Sequence, residues 1–351
     1  MRVFDYSSLK EKKWDNEIIS LVAQIHEYKG RQEIYLKQKP EELDKLVEIA
    51  KRQSTEASNA IEGIRTTSTR LKQLCEEKTT PKNRAEEEIL GYRDVLNTIH
   101  ENYEYIPIKT NYILQLHRDL YKYTEKSIGG HFKISQNVIA ATDETGKEYV
   151  LFTPIAPYET QPAIDSICEN YNRIIENEEL DSILLIPIFI HDFLCIHPFS
   201  DGNGRMSRLL TALLLYRSGY VVGKYISIES KISRNKDLYY KALEDCQEGW
   251  HDNKEDVTPF VKYMLRIILS AYRDFEERVE LVDEKLTAKE IVRRAVYSRM
   301  GKHSKSDITE LCPSIGVKSV ERALKELVDD GVLLKKGSGR ATFYVRSDSE
   351  Q

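Results

Sequence analysis

The chain has 351 residues, long enough for two or three domains and a sizeable core, with 40% hydrophobic and 31% charged residues, the balance of a soluble globular protein. The formal charge of −5 implies no partner by itself, but 13 Lys/Arg against 7 Asp/Glu between residues 286 and 346 mark the C-terminal sixth as basic. The five cysteines (Cys75, Cys168, Cys195, Cys246, Cys312) are scattered without a Cys-x-x-Cys, which argues against a disulfide framework or a zinc site and fits a reducing cytosol. Met1–Tyr6 has no apolar signal region, and the longest apolar runs, near 183–196 and 209–216, are interrupted or too short to span a bilayer. A cytoplasmic protein without membrane contact is expected.

In chain order, Trp14, Ile18, Leu21, Val22, Ile25 and Tyr28 recur at helical spacing within 8–37. A second helix starts after Pro40, carries Leu43, Leu46, Val47 and Ile49 as its stripe, and runs over about 41–63 to stop at Gly63. Glu62 at its end is disfavoured by the helix dipole, so a cationic partner would offset the penalty; the plain alternative is a solvated glutamate. Helices are expected over 84–102 and 109–124, with His117 read as a core or surface histidine. Val138–Ala141 and Lys147–Phe152 flank the turn-rich Thr142–Gly146, a β-hairpin, and Pro154, Pro157 and Pro162 close it as a loop. Helices 162–178 and 183–196 follow; His191 and His197 are six apart and do not suit two metal ligands on one helical face.

The next stretch, His197-Pro198-Phe199-Ser200-Asp201-Gly202-Asn203-Gly204-Arg205-Met206-Ser207-Arg208, carries the chemistry. A histidine, readily poised as a base, precedes a carboxylate, and a Gly-Asn-Gly turn opens a helix that ends near Gly219. Free N–H groups and the dipole at that helix start favour an anion. Arg205 and Arg208 share a helix face and can grip phosphate oxygens, and Asp201 can hold a phosphate-bound Mg²⁺. Phe199 reads as an anchor for the loop.

This stretch resembles the Fic family signature, His-x-Phe-x-(Asp/Glu)-Gly-Asn-Gly-Arg-x-x-Arg, with every fixed position matched. The resemblance covers about residues 10–270. It implies an all-α fold, a helical bundle with a β-hairpin flap. It also implies a protein adenylyltransferase that moves AMP from ATP, with Mg²⁺, to a Tyr, Thr or Ser hydroxyl of a target protein. His197 would be the general base, Gly202, Asn203, Gly204, Arg205 and Arg208 would hold phosphates, and Asp201 the metal. Many Fic proteins carry an inhibitory (Ser/Thr)-x-x-x-Glu-(Gly/Asn) helix, matched by Ser58-Asn59-Ala60-Ile61-Glu62-Gly63. By that resemblance Ser58 and Glu62 form a brake, with Glu62 paired to Arg208 in place of the ATP γ-phosphate, or Glu62 orients water for AMP removal. The target segment would dock on the flap, 137–152; ahead of it, Lys133 stands where the family usually has an arginine after the glycine. Tyr240, the second of a tyrosine pair, is the adenine-pocket candidate, and Gln247 stands where the family often has asparagine. Alternatives are another nucleotide or phosphodiester donor, or a DNA-binding regulator with a nucleotide-sensing core.

After a long helix over 255–285 the pattern changes. Helix 287–300, Ser306–Cys312, helix 318–329 and the ribbon Gly331–Val345 look like a small winged helix-turn-helix. Lys318, Arg322, Lys325, Lys335, Lys336 and Arg340 suit phosphates, while dimerisation or docking is the other reading and a homo-oligomer stays open. The expected organisation is an N-terminal helical region 1–105, a catalytic core with trailing helices 106–285, and the winged module 286–346.

Overall fold

The computed structural model describes residues 2–38, 40–124, 128–142, 146, 148–283, 287–298, 300–312 and 315–347. A 3-10 turn, Tyr6–Glu11, leads into α1 (Asn16–Gln38), α2 (Pro40–Ile61), α3 (Ser68–Cys75), α4 (Arg84–Asn102) and α5 (Thr110–Leu120). The antiparallel pair β1 (Ile139–Thr142) and β2 (Glu148–Phe152) follows, with Ala141 opposite Tyr149. Next come α6 (Pro157–Glu176), α7 (Ser182–Ile196), α8 (Asn203–Arg217), α9 (Ile228–Arg234), α10 (Lys236–Asp245) and α11 (Thr258–Asp283). The C-terminal part holds α12 (Ala288–Tyr297), β3 (His303–Ser304), α13 (Lys305–Leu311), α14 (Val317–Asp329), β4 (Leu333–Lys336) and β5 (Phe343–Arg346). The fold is predominantly helical, as expected, and no helix among the described residues is long and apolar enough to cross a membrane.

Helices α7 and α8 form the centre. Every residue of α7 from Ile183 to Ile196 is buried, as befits a helix apolar on nearly every side, and α8 is buried from Arg205 to Tyr216 with its polar Arg205, Ser207, Arg208 and Thr211 included. Helix α7 packs against α6, α8 and α11, α1 lies along α11, and α2 crosses α4 and α9. Helix α8 ends where Tyr220 donates its N–H to the Leu215 carbonyl (2.8 Å), with Gly219 at φ +79° supplying the left-handed turn. Asp192, buried within α7, accepts from Arg2 (2.8 Å), Tyr6 Oη (2.9 Å) and Trp250 Nε1 (2.7 Å), so the N-terminal segment is tied to the central helix. A buried carboxylate is tolerated when paired and hydrogen-bonded in this way.

The C-terminal part has its own buried cluster, from Ile291 to Leu333, beside an antiparallel sheet of order β3-β5-β4. Its Glu310 meets α2, accepting from Gln53 Nε2 (2.8 Å) and lying 3.5 Å from Arg52.

The elements differ from expectation at several places. Residues 6–11 form a separate turn rather than the start of α1. Helix α2 stops at Ile61, so Glu62 and Gly63 (φ +78°) form the turn after it. Pro157, expected in a loop, takes the first position of α6, where its missing N–H costs nothing, and Pro162, expected where that loop meets helix 162–178, is the sixth residue of α6. Helix α3, capped by Thr67, and the short strand β3 were not expected. Most of the hairpin turn, the boundary at 284–286 and the side chain of Arg340 lie outside the described residues.

Candidate active site

The site grows from the end of α7. His197 takes the left-handed conformation (φ 49°, ψ 61°) and donates its N–H to the Phe193 carbonyl (3.0 Å). That conformation is unfavourable for a residue with a Cβ and persists only where surroundings impose it. Here they do. Asn137 Nδ2 donates to both the His197 and Phe199 carbonyls, each at 3.1 Å. The Lys133 backbone N–H binds the Pro198 carbonyl (2.8 Å), while its Nζ reaches the Ile196 carbonyl and Asn137 Oδ1, both at 2.9 Å. Phe199 donates to Asn203 Oδ1 (2.9 Å), and Asn203 Nδ2 returns a bond to the Phe199 carbonyl (2.7 Å). The Phe199 ring is fully buried and stacks on His117 with centroids 3.6 Å apart. His117 bridges its surroundings: Nε2 meets the Asp201 carbonyl and Nδ1 accepts from the Gly130 N–H, both at 3.0 Å.

His197 Nδ1 lies 3.2 Å from the Leu194 carbonyl. A carbonyl only accepts, so Nδ1 carries the proton and Nε2 keeps its lone pair. Burial pushes the imidazole pKa down to about 4, with the Lys133 charge adding to the effect and the Leu194 bond opposing it. At neutral pH the ring is an uncharged acceptor.

Beyond the loop, Gly202 begins α8 at φ 86°, and a Cβ there would come within 2.9 Å of the Tyr121 hydroxyl. Arg205 is buried, and its NH2 pairs with Glu88 (2.8 Å) and donates to Tyr121 (2.7 Å). Its Nε and NH1 are buried without a hydrogen-bond partner, so the guanidinium has donors to spare for an anion. Asp201 stands at the rim, 41% exposed, 3.9 Å from both Arg205 and Arg84. These residues, with Glu62, Glu88 and His197, line a cleft of about 320 Å³. Asn203 differs from expectation in one respect: its side chain is committed to Phe199, so its backbone is what it offers an anion. No group of three or more His, Cys, Asp or Glu able to cage a metal occurs among the described residues. Asp201 fits a Mg²⁺ that arrives on phosphates, with one protein carboxylate and water completing the shell.

Arg208, one turn further along α8, is also buried. Its NH2 pairs with Glu62 at 2.8 Å, and it donates from Nε to Ser58 Oγ (2.8 Å) and from NH2 to the Ser58 carbonyl (3.0 Å). Burial opposes its charge, but Glu62 and the neighbouring tyrosines outweigh it and raise its pKa. The Glu62 carboxylate lies so close to α8 that a Cβ on Gly204 would come within 2.3 Å of it. At the end of α2, Lys236 Nζ donates to the Ile61 carbonyl (2.8 Å) and supplies the cation a helix C-terminus favours.

A larger cleft of about 650 Å³ opens on the other side of Glu62 and His197. Tyr240 lines it, 43% exposed and edge-on to the buried Tyr239 (5.4 Å between centroids), as do Gln247, Ile139 and Tyr149. The structure thus brings together the histidine, the Gly-Asn-Gly turn, both arginines, Asp201, Glu62, Ser58, Tyr240 and the hairpin. Lys133 braces the histidine loop from within, with its charge consumed there. Sequence reasoning missed the supports Asn137, His117 and Tyr121 and the pair Arg84–Glu88. The one local signal was the placement of Arg84 against a helix dipole.

Residues 107–215 match the family model described as Fic/DOC family. The chain is 29% identical over 181 residues to the protein adenylyltransferase Fic of Drosophila yakuba, covering 50% of this chain and 31% of that protein. It is 26% identical over 169 residues to the protein adenylyltransferase fic-1 of Caenorhabditis elegans, covering 46% and 28%. A Fido domain-containing protein of Dictyostelium discoideum is 25% identical over 148 residues, covering 42% of this chain and 96% of that one. The match therefore spans about a third of the adenylyltransferase relatives' length. The fold resembles a Fic family protein from Desulfovibrio desulfuricans G20, with a TM-score of 0.61 at 20% identity over 97% of this chain and 98% of that one. It also resembles a Fic domain-containing signaling protein from Bacteroides thetaiotaomicron, with a TM-score of 0.60 at 24% identity over 76% and 97%. With the signature loop in place between α7 and α8 and the family model laid over the helices that frame it, residues 107–215 form a Fic/DOC family domain.

Proposed function

We propose that the chain is a protein adenylyltransferase that transfers AMP from ATP to a Tyr, Thr or Ser hydroxyl of a target protein, and that Glu62 holds it in check. The observation that carries the reading is the pairing of a neutral His197, its Nε2 lone pair free, with an anion cradle at the start of α8. In this reading the target hydroxyl gives its proton to His197 Nε2 as its oxygen attacks the α-phosphorus. The new O–P bond forms as the bond from that phosphorus to the bridging oxygen breaks, and pyrophosphate leaves. Amides at the start of α8 and Arg205 hold the phosphates, and their main contribution is positioning and charge stabilisation. A Mg²⁺ held by Asp201 would neutralise phosphate charge. Adenine sits in the larger cleft beside Tyr240, and the target strand lies along the hairpin, which borders the same cleft. The Glu62 carboxylate occupies Arg208, the group that would take the γ-phosphate, so productive nucleotide binding requires the pair to open.

The test compares wild type, Glu62→Gly and Glu62→Gly/His197→Ala with ATP labelled at the α-phosphate and Mg²⁺. Protein labelling should rise at least tenfold in the glycine variant and vanish without His197. Unchanged labelling in Glu62→Gly sinks the brake, and labelling that survives His197→Ala sinks the base. Should ATP bind without transfer, AMP removal from a modified target and other nucleotide donors are the readings to measure next.

For the C-terminal part, the same reading takes 286–346 as a winged helix-turn-helix module of a cytoplasmic protein. Lys318, Arg322, Lys325, Lys335 and Lys336 are exposed on it and favour DNA. DNA retardation that weakens as salt rises supports this role; no retardation at low salt leaves docking of protein, including a second copy.

A further inference from the structure

Arg84 breaks two local rules. It occupies the first position of α4, where the dipole disfavours a cation, and it precedes its partner Glu88 by four residues, the weaker order for a helical ion pair. As a surface pair alone this would add little stability. The pair is not isolated, however. Glu88 is buried, with one carboxylate oxygen on Arg84 Nε and the other on Arg205 NH2, both at 2.8 Å. Asp201 lies 3.9 Å from each of the same arginines. Two cations and two anions thus alternate around a ring, tight on the Glu88 side and loose on the Asp201 side. All four line the smaller cleft, where buried Arg205 has two N–H groups without partners.

We propose that Arg84 is a third phosphate-gripping arginine, supplied from outside the signature that carries Arg205 and Arg208, and that Glu88 is the positioning residue that aims Arg84 and Arg205 together at the terminal phosphates of the nucleotide. The ligand class is a di- or triphosphate end, including the pyrophosphate that leaves. The loose side of the ring explains how it opens. When Asp201 turns to a phosphate-borne cation, its weak hold on Arg84 NH2 is given up, and the 62%-exposed guanidinium, still held at Nε by Glu88, can turn that end to the phosphates. The tight side keeps Arg205 in place throughout. This inference rests on the reading of the cleft as a nucleotide site.

Binding of ATP, pyrophosphate and AMP to the full chain by calorimetry, in the Glu62→Gly background with Mg²⁺, tests it directly. Arg84→Ala should weaken ATP and pyrophosphate by about tenfold and leave AMP unchanged, and Arg84→Lys should recover part of the loss, since it restores charge without the fork. Glu88→Gln, similar in shape, should raise the KM for ATP severalfold with a smaller change in kcat. Undiminished ATP and pyrophosphate binding in Arg84→Ala overturns the proposal, as does equal weakening of AMP. Should Arg84→Ala bind normally while AMP transfer persists, the inference fails and the transferase reading stands. An Arg84-dependent affinity for pyrophosphate without any transfer leaves the inference standing and removes the transferase.

Discussion

Ser58 in the last turn of α2 and Glu62 just past it grip one guanidinium, and they differ in what they withhold. Glu62 brings charge, whereas Ser58 brings a neutral acceptor to Arg208 Nε and a carbonyl to NH2. Removing only the hydroxyl costs about 1 kcal/mol of that grip, roughly a fivefold shift in an equilibrium. Ser58→Ala should therefore label at a level between wild type and Glu62→Gly; labelling equal to wild type would show that the carboxylate acts alone. The His197 pKa sets a second expectation. Depressed to about 4, mainly by burial, it keeps the base neutral through the range in which an ordinary histidine would protonate. In Glu62→Gly, kcat/KM should show no acid limb near pH 6.5, only a decline toward the lower value. A limb at the ordinary value would mean that the ring is solvated when substrate binds. At this scale the signature was readable because its residues are contiguous and their chemistry is carried by type and spacing. The dipole rule asked for a cation beside Glu62, but Ser58 and the identity of that cation were readable only through resemblance, since 146 residues separate Glu62 from its arginine.

Among the elements, the hairpin entrance serves the histidine loop as much as it borders a cleft. Asn137 caps two carbonyls that the left-handed turn at His197 leaves turned away from α7, 60 and 62 residues distant in sequence. Asn137→Ala should lower kcat by ten- to a hundredfold, because a loop displaced by about 1 Å misaligns the base, while the melting temperature falls by only a few degrees. A parallel collapse of both would make Asn137 a stability residue instead. Periodicity located most of the long helices, since α2, α4, α7 and α11 carry strong apolar patterns or good stops. It passed over α3, whose eight residues include Ser, Thr, Arg, Lys and Gln and bury only Leu71 and Leu74. It also placed Pro157 outside a helix, although proline is well tolerated in a first turn. Bonds such as Asn137 to the loop or Glu88 to Arg205 leave no trace in a linear pattern. They depend on which helices become neighbours.

The molecule as a whole keeps several histidines away from water. His100, His117 and His191 are buried, and burial lowers their pKa values to about 3, 4 and 4. The unfolded chain protonates them near pH 6.5, so this part of the stability is complete above that value and is lost as pH falls toward the folded values. Each contributes a slope of up to about 1.4 kcal/mol per pH unit within that window. Urea midpoints should hold between pH 7 and 8 and fall steeply between pH 6.5 and 5; an unchanged midpoint at pH 5 would mean that the histidines charge without unfolding. Composition and pattern made the helical bundle and the distinct basic end legible, but not where that end rests.

It rests on α2. Arg52 and Gln53 meet Glu310, and about two turns later the same helix delivers Ser58, and the turn that follows it Glu62, to Arg208. A helix is stiff over this distance, roughly 13 Å, so the two contacts share one displacement. If a partner of the C-terminal part favours the position of α2 in which Glu62 has left Arg208, linkage is reciprocal: the nucleotide must strengthen that partner's binding by the same factor by which the partner strengthens the nucleotide's.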